Sequence, residues 1–199
     1  MRADDEPPEP DSSLAFGALA GVRLGYGAGQ FGELPYASGL SYEPEVELVV
    51  ARPPFSVSLR GGYLVQRVDY AGKFTNAYAA PSLTVTAGVA LAPWLALHVG
   101  GGALIAGQLQ AQGNMGFPCF DNPSFVCPAT YGTASASGGR ALAGVDVALF
   151  RGRNLGVDAR LDFELTQTGG GSIRGTPASM RHFGAAASLA WSFSKERTP

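Results

Sequence analysis

Charged side chains recur at every second position in two stretches of this 199-residue chain. Glu43, Glu45 and Glu47 make one set, and Asp158, Arg160, Asp162 and Glu164 make the other. Successive side chains of a β-strand point to opposite sides, so each set shares one strand face. Arg23, Arg60, Arg140 and Asp146 stand at equivalent places in other alternating stretches. Charges gathered on an enclosed face must be paired or solvated. Two chemistries fit: an internal salt-bridge network that plugs a lumen, or a narrow water path. Seven carboxylates against four arginines would make such a path prefer cations.

Other reactive residues are few. His182 and Ser179 lie close in sequence, and His98 stands alone on the charged side of its stretch, where a neighbouring carboxylate would hold it. There is no G-x-S-x-G elbow. Gly100 to Gly102 lie inside a strand pattern with no helix following, which is not a phosphate loop. A formal charge of -2 and the lack of a basic patch give no support to nucleic-acid binding. Cys119 and Cys127 share a Pro-rich stretch with no histidine nearby, so a small disulfide loop or two free thiols fit, and a metal site does not. No cofactor is expected.

The elements that must position these groups are strands. Hydrophobic residues make up 46% and charged residues only 15%, with 28 glycines; a soluble domain carries about 25% charged residues. No apolar run approaches the ~18 residues of a membrane helix. Period-2 alternation appears instead in eight segments: 13–27, 41–51, 55–66, 78–92, 95–112, 133–150, 155–166 and 182–194. Most reach the length of a tilted spanning strand, about 9–11 residues. Tight turns at Arg52-Pro53-Pro54, Pro93-Trp94 and 151–154 alternate with longer connections at 28–40, 67–77, 113–132 and 167–181. Residues 1–12 read as a disordered, acidic, Pro-rich leader and 195–199 as a short tail, leaving 13–194 as the barrel. An export signal is then expected either to have been removed or to lie upstream of the acidic leader.

Composition of the two faces decides which one looks out. One face carries Leu14, Phe16 and Val22, then Leu48, Val85, Leu109, Leu161 and their alternating neighbours, and no charge at all. The other carries the charges among Gly, Ala, Ser and Thr, which suits the narrow interior of a small barrel. Aromatic residues gather toward segment ends: Phe55, Trp94, Phe150, Trp191 and Phe193 near the short turns, and Tyr26, Tyr42 and Tyr63 near the long connections. Two such girdles mark the two interfaces of a bilayer. Pro44 and Pro81 lack a ladder N–H and must sit near a loop end or a bulge. A soluble, lipocalin-like ligand-binding barrel would need the apolar faces turned inward.

With these segments, faces and connections, residues 13 to 194 resemble small outer-membrane β-barrel proteins of the OmpA/OmpX type. The resemblance implies an all-β, eight-stranded antiparallel up-and-down transmembrane barrel of a Gram-negative outer membrane, with both chain ends periplasmic. It implies that the barrel-assembly machinery reads the last strand, here through Trp191 and Phe193, although Ser188 stands where that signal favours glycine and 194–199 trail beyond. Some barrels of this class modify lipid A with a rim serine or histidine, yet neither histidine here belongs to a His-x-Ser pair. The expectation is therefore a non-catalytic protein with the bilayer as its main partner. The stretch 113–132, with Met115, Phe117, Phe120, Phe125 and Tyr131, either meets a surface partner or packs over the barrel mouth.

Overall fold

Eight strands close into one antiparallel barrel in which each strand pairs with its sequence neighbours and β1 pairs with β8. The strands are β1 (Ala15–Phe31), β2 (Ala37–Arg52), β3 (Phe55–Tyr70), β4 (Phe74–Ala92), β5 (Leu95–Cys119), β6 (Asn122–Arg151), β7 (Gly156–Ile173) and β8 (Thr176–Ser192). This computed structural model describes residues 14–70, 74–119, 122–152, 155–173 and 176–192, with backbone only at 74, 112–119, 122–131 and 176–177. The expected leader 1–12 and tail 195–199 lie outside the described residues.

The short-turn ends of the strands fall where the sequence places them, because Pro, Asn and Gly punctuate those turns. The other ends do not. The stretches expected as long connections mostly continue the ladder: β1 runs to Phe31 and β2 starts at Ala37, leaving a link at 32–36. Most of 113–132 is likewise strand, with Gly113 opposite Ala129 and Asn114 opposite Pro128. Gly, Pro and polar residues interrupt the alternation in these stretches and weaken its hydrophobic signal. Strand pairing satisfies their backbone groups just as it does in the rest of the wall.

Both prolines sit where the ladder is broken. The β2–β3 pairing lapses between Tyr42↔Val65 and Glu45↔Gly62, on either side of Pro44. The β4–β5 register shifts between Ala79 and Ser82, at Pro81. The β5–β6 register also shifts, between Leu104 and Gly107, and Ala106 in between has a φ of 47°. That bulge resets the alternation of β5, so Leu109, expected on the outward face, is fully buried inside. Gly100, Gly102 and Gly138 mark where strands approach closely: a Cβ on Gly102 would strike the Leu83 carbonyl, and one on Gly138 the Gln167 carbonyl.

Orientation of the faces is settled by exposure. Leu48, Val85 and Leu161 are 62%, 52% and 45% exposed, whereas Glu45, Arg60 and Asp162 are 5%, 2% and 1% exposed. A soluble ligand-binding barrel is thereby excluded, because the greasy faces line the outside. The fold is an eight-stranded transmembrane β-barrel: closure leaves no strand edge for hydrocarbon to meet, and the apolar wall faces outward.

Candidate functional site: a layered lumen

Every charge that the sequence assigns to the lumen points into it, from five of the eight strands. Arg23 of β1 is the first hub. Its Nη1 donates to Glu164 Oε2 at 2.6 Å and to Glu43 Oε2 at 3.4 Å, and its Nε donates to Asp162 Oδ2 at 3.0 Å. Arg140 of β6 forks onto Glu43, Nη1 to Oε1 at 3.0 Å and Nη2 to Oε2 at 2.5 Å, and Ser82 donates to the same Oε1. The two-pronged geometry is what a planar guanidinium offers and a lysine does not.

A second cluster lies nearer the short turns. Arg160 pairs with Glu47 and lies 2.7 Å from Asp146 Oδ1. Arg60 stands 3.7 Å from Glu45, 3.9 Å from Glu47 and 3.6 Å from Asp162. These are charge pairings beyond hydrogen-bond reach. His98 joins the clusters, with Nδ1 2.9 Å from Asp146 Oδ2 and Nε2 2.6 Å from Asp162 Oδ1. A ring with a proton on each nitrogen donates to both carboxylates. Arg151, read from sequence as part of a turn, reaches Asp158 at 2.5 Å from its exposed place at the barrel mouth. His98 and Arg151 thus reduce the apparent excess of carboxylates. His98 is legible from its in-phase position, while Arg151 carries no periodic signal.

Above this ionic layer the lumen changes character. Leu64, Val68, Tyr78, Leu104, Leu109 and Met180 form a buried apolar cluster inside the loop-side half of the barrel. Gln66 and Thr166 exchange hydrogen bonds of 3.0 and 3.1 Å from opposite walls, and the Tyr78 hydroxyl donates to the Ala136 carbonyl at 3.4 Å. His182 is buried where the layers meet, its Nδ1 3.8 Å from Glu164. The sequence reading missed this layer. Its signal was present: from Leu64 onward along β3 the alternation keeps its phase while the apolar side becomes the inner one.

The candidate reactive residues are not assembled. His182 lies inside the wall, and Ser179, three positions back along the same strand, shares the outward side with Arg181. His98 is engaged by two carboxylates. Among the described residues no group of three or more His, Cys, Asp and Glu side chains could hold a metal. Cys119 and Cys127 lie outside the described side chains, as does Phe193.

The remaining aromatic residues of the expected girdles all face outward. Phe55, Trp94, Phe150 and Trp191 are exposed toward the short turns, and Tyr26, Tyr42 and Tyr63 are exposed some turns of the ladder higher. Phe16 and Phe183 are exposed in the same way. Tyr36 of the 32–36 link packs edge-on against Phe183 with ring centroids 5.7 Å apart.

The fold and lumen together define an inside-out barrel: an ionic interior within an apolar wall. No family model matches the chain, and no curated protein matches it. Solved structures that resemble it include Neisserial surface protein A, NspA, at 13% identity and a TM-score of 0.47 over 89% of this chain and 98% of that one. Ail, the attachment invasion locus protein of Yersinia pestis, in complex with a heparin analogue, matches at 12% identity and a TM-score of 0.45, over 87% and 98%. The N-terminal β-barrel domain of Pseudomonas aeruginosa OprF matches at 11% identity and a TM-score of 0.38, over 87% and 97%.

Proposed function

We propose that the chain is a non-catalytic barrel of a Gram-negative outer membrane, closed to ions, whose role is structural or lies in contacts made by its loop-side hairpins. The observation that carries this reading is the stacking of two different seals in one lumen. Ion pairs fill the short-turn half, and a hydrophobic cluster fills the loop-side half. A cation path would need water through both, and eight strands enclose little more than their own side chains.

In this reading the short turns are periplasmic. The described ends of β1 and β8 lie at that rim, where Leu19 pairs with Ser192. The long β5–β6 hairpin rises on the other side and is the natural place for a surface partner. Insertion by the barrel-assembly machinery would use β8, whose Trp191 faces outward. A disulfide between Cys119 and Cys127 would brace the tip of the hairpin.

Three experiments test the proposal. Detergent-folded protein should migrate differently before and after boiling, and should need detergent or lipid to stay dispersed; a soluble monomer in plain buffer would overturn the membrane reading. In planar bilayers the folded barrel should give no conductance steps, and cation-selective steps would establish the pore instead. Deleting 115–130 should abolish surface adhesion while leaving the heat-dependent migration intact.

A further inference from the structure

The outer wall is not uniformly covered. Reading around it at one level, Leu83 of β4 pairs with Ala103, Ala103 with Gly139, Gly139 with Gln167, and Gln167 with Arg181. At the next outward level down, Val85 pairs with Gly101, Gly101 with Ala141, Ala141 with Leu165, and Leu165 with Phe183. Four small residues on β5 and β6 therefore form a floor between taller walls. Over the β6 half of that floor lies a shallow groove of about 590 Å³, lined by Gly139 and Ala141 and by Leu165, Gln167, Gly169 and Ser179 of β7 and β8.

This groove straddles the level at which the outer wall turns from apolar to polar. Its lower end is hydrocarbon, with Ala141, Leu165 and Phe183 at one level and Phe163 beneath. Its upper end offers the amide of Gln167, the hydroxyl of Ser179 and, cross-strand from Gln167, the exposed guanidinium of Arg181. Above the apolar belt, Arg181 is the one charge on the outward side of β5 to β8 among the described residues. The acidic residues of these strands all face the lumen.

We propose that this groove seats one lipid, its acyl chain on the glycine–alanine floor and its anionic phosphate headgroup held by Arg181, Gln167 and Ser179. The match is one of shape and charge together. A chain-wide depression runs into donors of matching sign, and a guanidinium suits phosphate oxygens better than it suits a neutral headgroup. The proposal rests on the membrane reading above, but it fails separately from it. A barrel that folds in micelles can still treat all lipids alike.

The test is native mass spectrometry of the full chain released from detergent micelles carrying phosphatidylglycerol or phosphatidylcholine with identical acyl chains. The wild-type barrel should retain one phosphatidylglycerol several-fold more often than phosphatidylcholine. Gly139→Leu fills the floor at little strain, since a Cβ there meets only the Gly102 carbonyl oxygen at 3.8 Å, and it should remove the retained lipid. Gly61→Leu, on the outward side of β3 where a Cβ meets nothing within 4 Å, should retain the lipid as wild type does. Arg181→Gln should make the two lipids equivalent. Heat-dependent migration confirms that each variant is folded. Equal retention of both lipids by wild type, or undiminished retention by Gly139→Leu, means annular lipid only and overturns the proposal.

Discussion

Below the level of Tyr26 and Tyr63 the wall places Leu48, Val85 and Leu161 outside and Glu45, Arg60 and Asp162 inside. Above it, Arg67, Gln108 and Arg181 are outside, and Leu64, Leu109 and Met180 are inside. The backbone ladder is the same in both halves. What changes is the medium that the outer face meets. Where hydrocarbon lies outside, apolar side chains gain nothing by turning inward, and enclosed charges pair with one another. Where water lies outside, burying apolar side chains is again favourable, at about 1.5–3 kcal/mol for each large one, and the lumen becomes an ordinary core. One chain therefore carries two opposite amphipathic rules, joined at a line that runs close to the upper tyrosines.

The comparison can be broken from the ionic side first. Arg23→Leu leaves Glu43, Asp162 and Glu164 without their shared cation, and removing one partner of a buried pair costs about 3–5 kcal/mol. The expected outcome is a large fall in the urea midpoint of the detergent-folded barrel, followed by unboiled gel migration. From the other half, Leu109→Ala should cost about 2–5 kcal/mol if the upper lumen is a packed core. Leu161→Ala, in the lipid-facing wall, should cost clearly less in the same measurement. An equal loss at the two positions would mean that the halves do not differ.

The border itself is sharpened by moving a charge along the outer face. Leu48→Arg should cost about 2–4 kcal/mol in lipid-vesicle unfolding, and Gln108→Arg about 0–1 kcal/mol. A large cost at Gln108 would shift the membrane line upward. The smallest effect is expected at the mouth, where Arg151 is exposed although it reaches Asp158. Arg151→Ala should change stability by about 0–1 kcal/mol, as exposed pairs do.

Much of the lower half was legible because two signals coincide there. Period-2 alternation sets the strands, and the charge-free face of Leu48, Val85 and Leu161 sets which side meets lipid. The ionic residues followed from the same phase, which is why Glu43, Arg60 and Asp162 fall where the pattern puts them. The upper half was less legible. Its inner residues, such as Leu64 and Val68, are apolar, while Arg67 between them is outward, and a reading that fixes one greasy side per strand treats that reversal as loop. Leu109 was misplaced for a different reason. The bulge at Ala106 arises from the register of β5 against both neighbours, and nothing in an alanine announces it.

Closure of the ring has a consequence for how the molecule comes into being. The seam unites β1 with β8, pairing Leu19 with Ser192 and Phe31 with Met180. These partners belong to the first and last strands of the barrel, so the closing hydrogen bonds span nearly the whole barrel sequence. A nascent fragment lacking β8 presents two raw borders and cannot complete the circle. Such topology makes assembly slow relative to local motions and ties it to the synthesis of β8. The unpaired strands must be kept from self-association until they can zip shut.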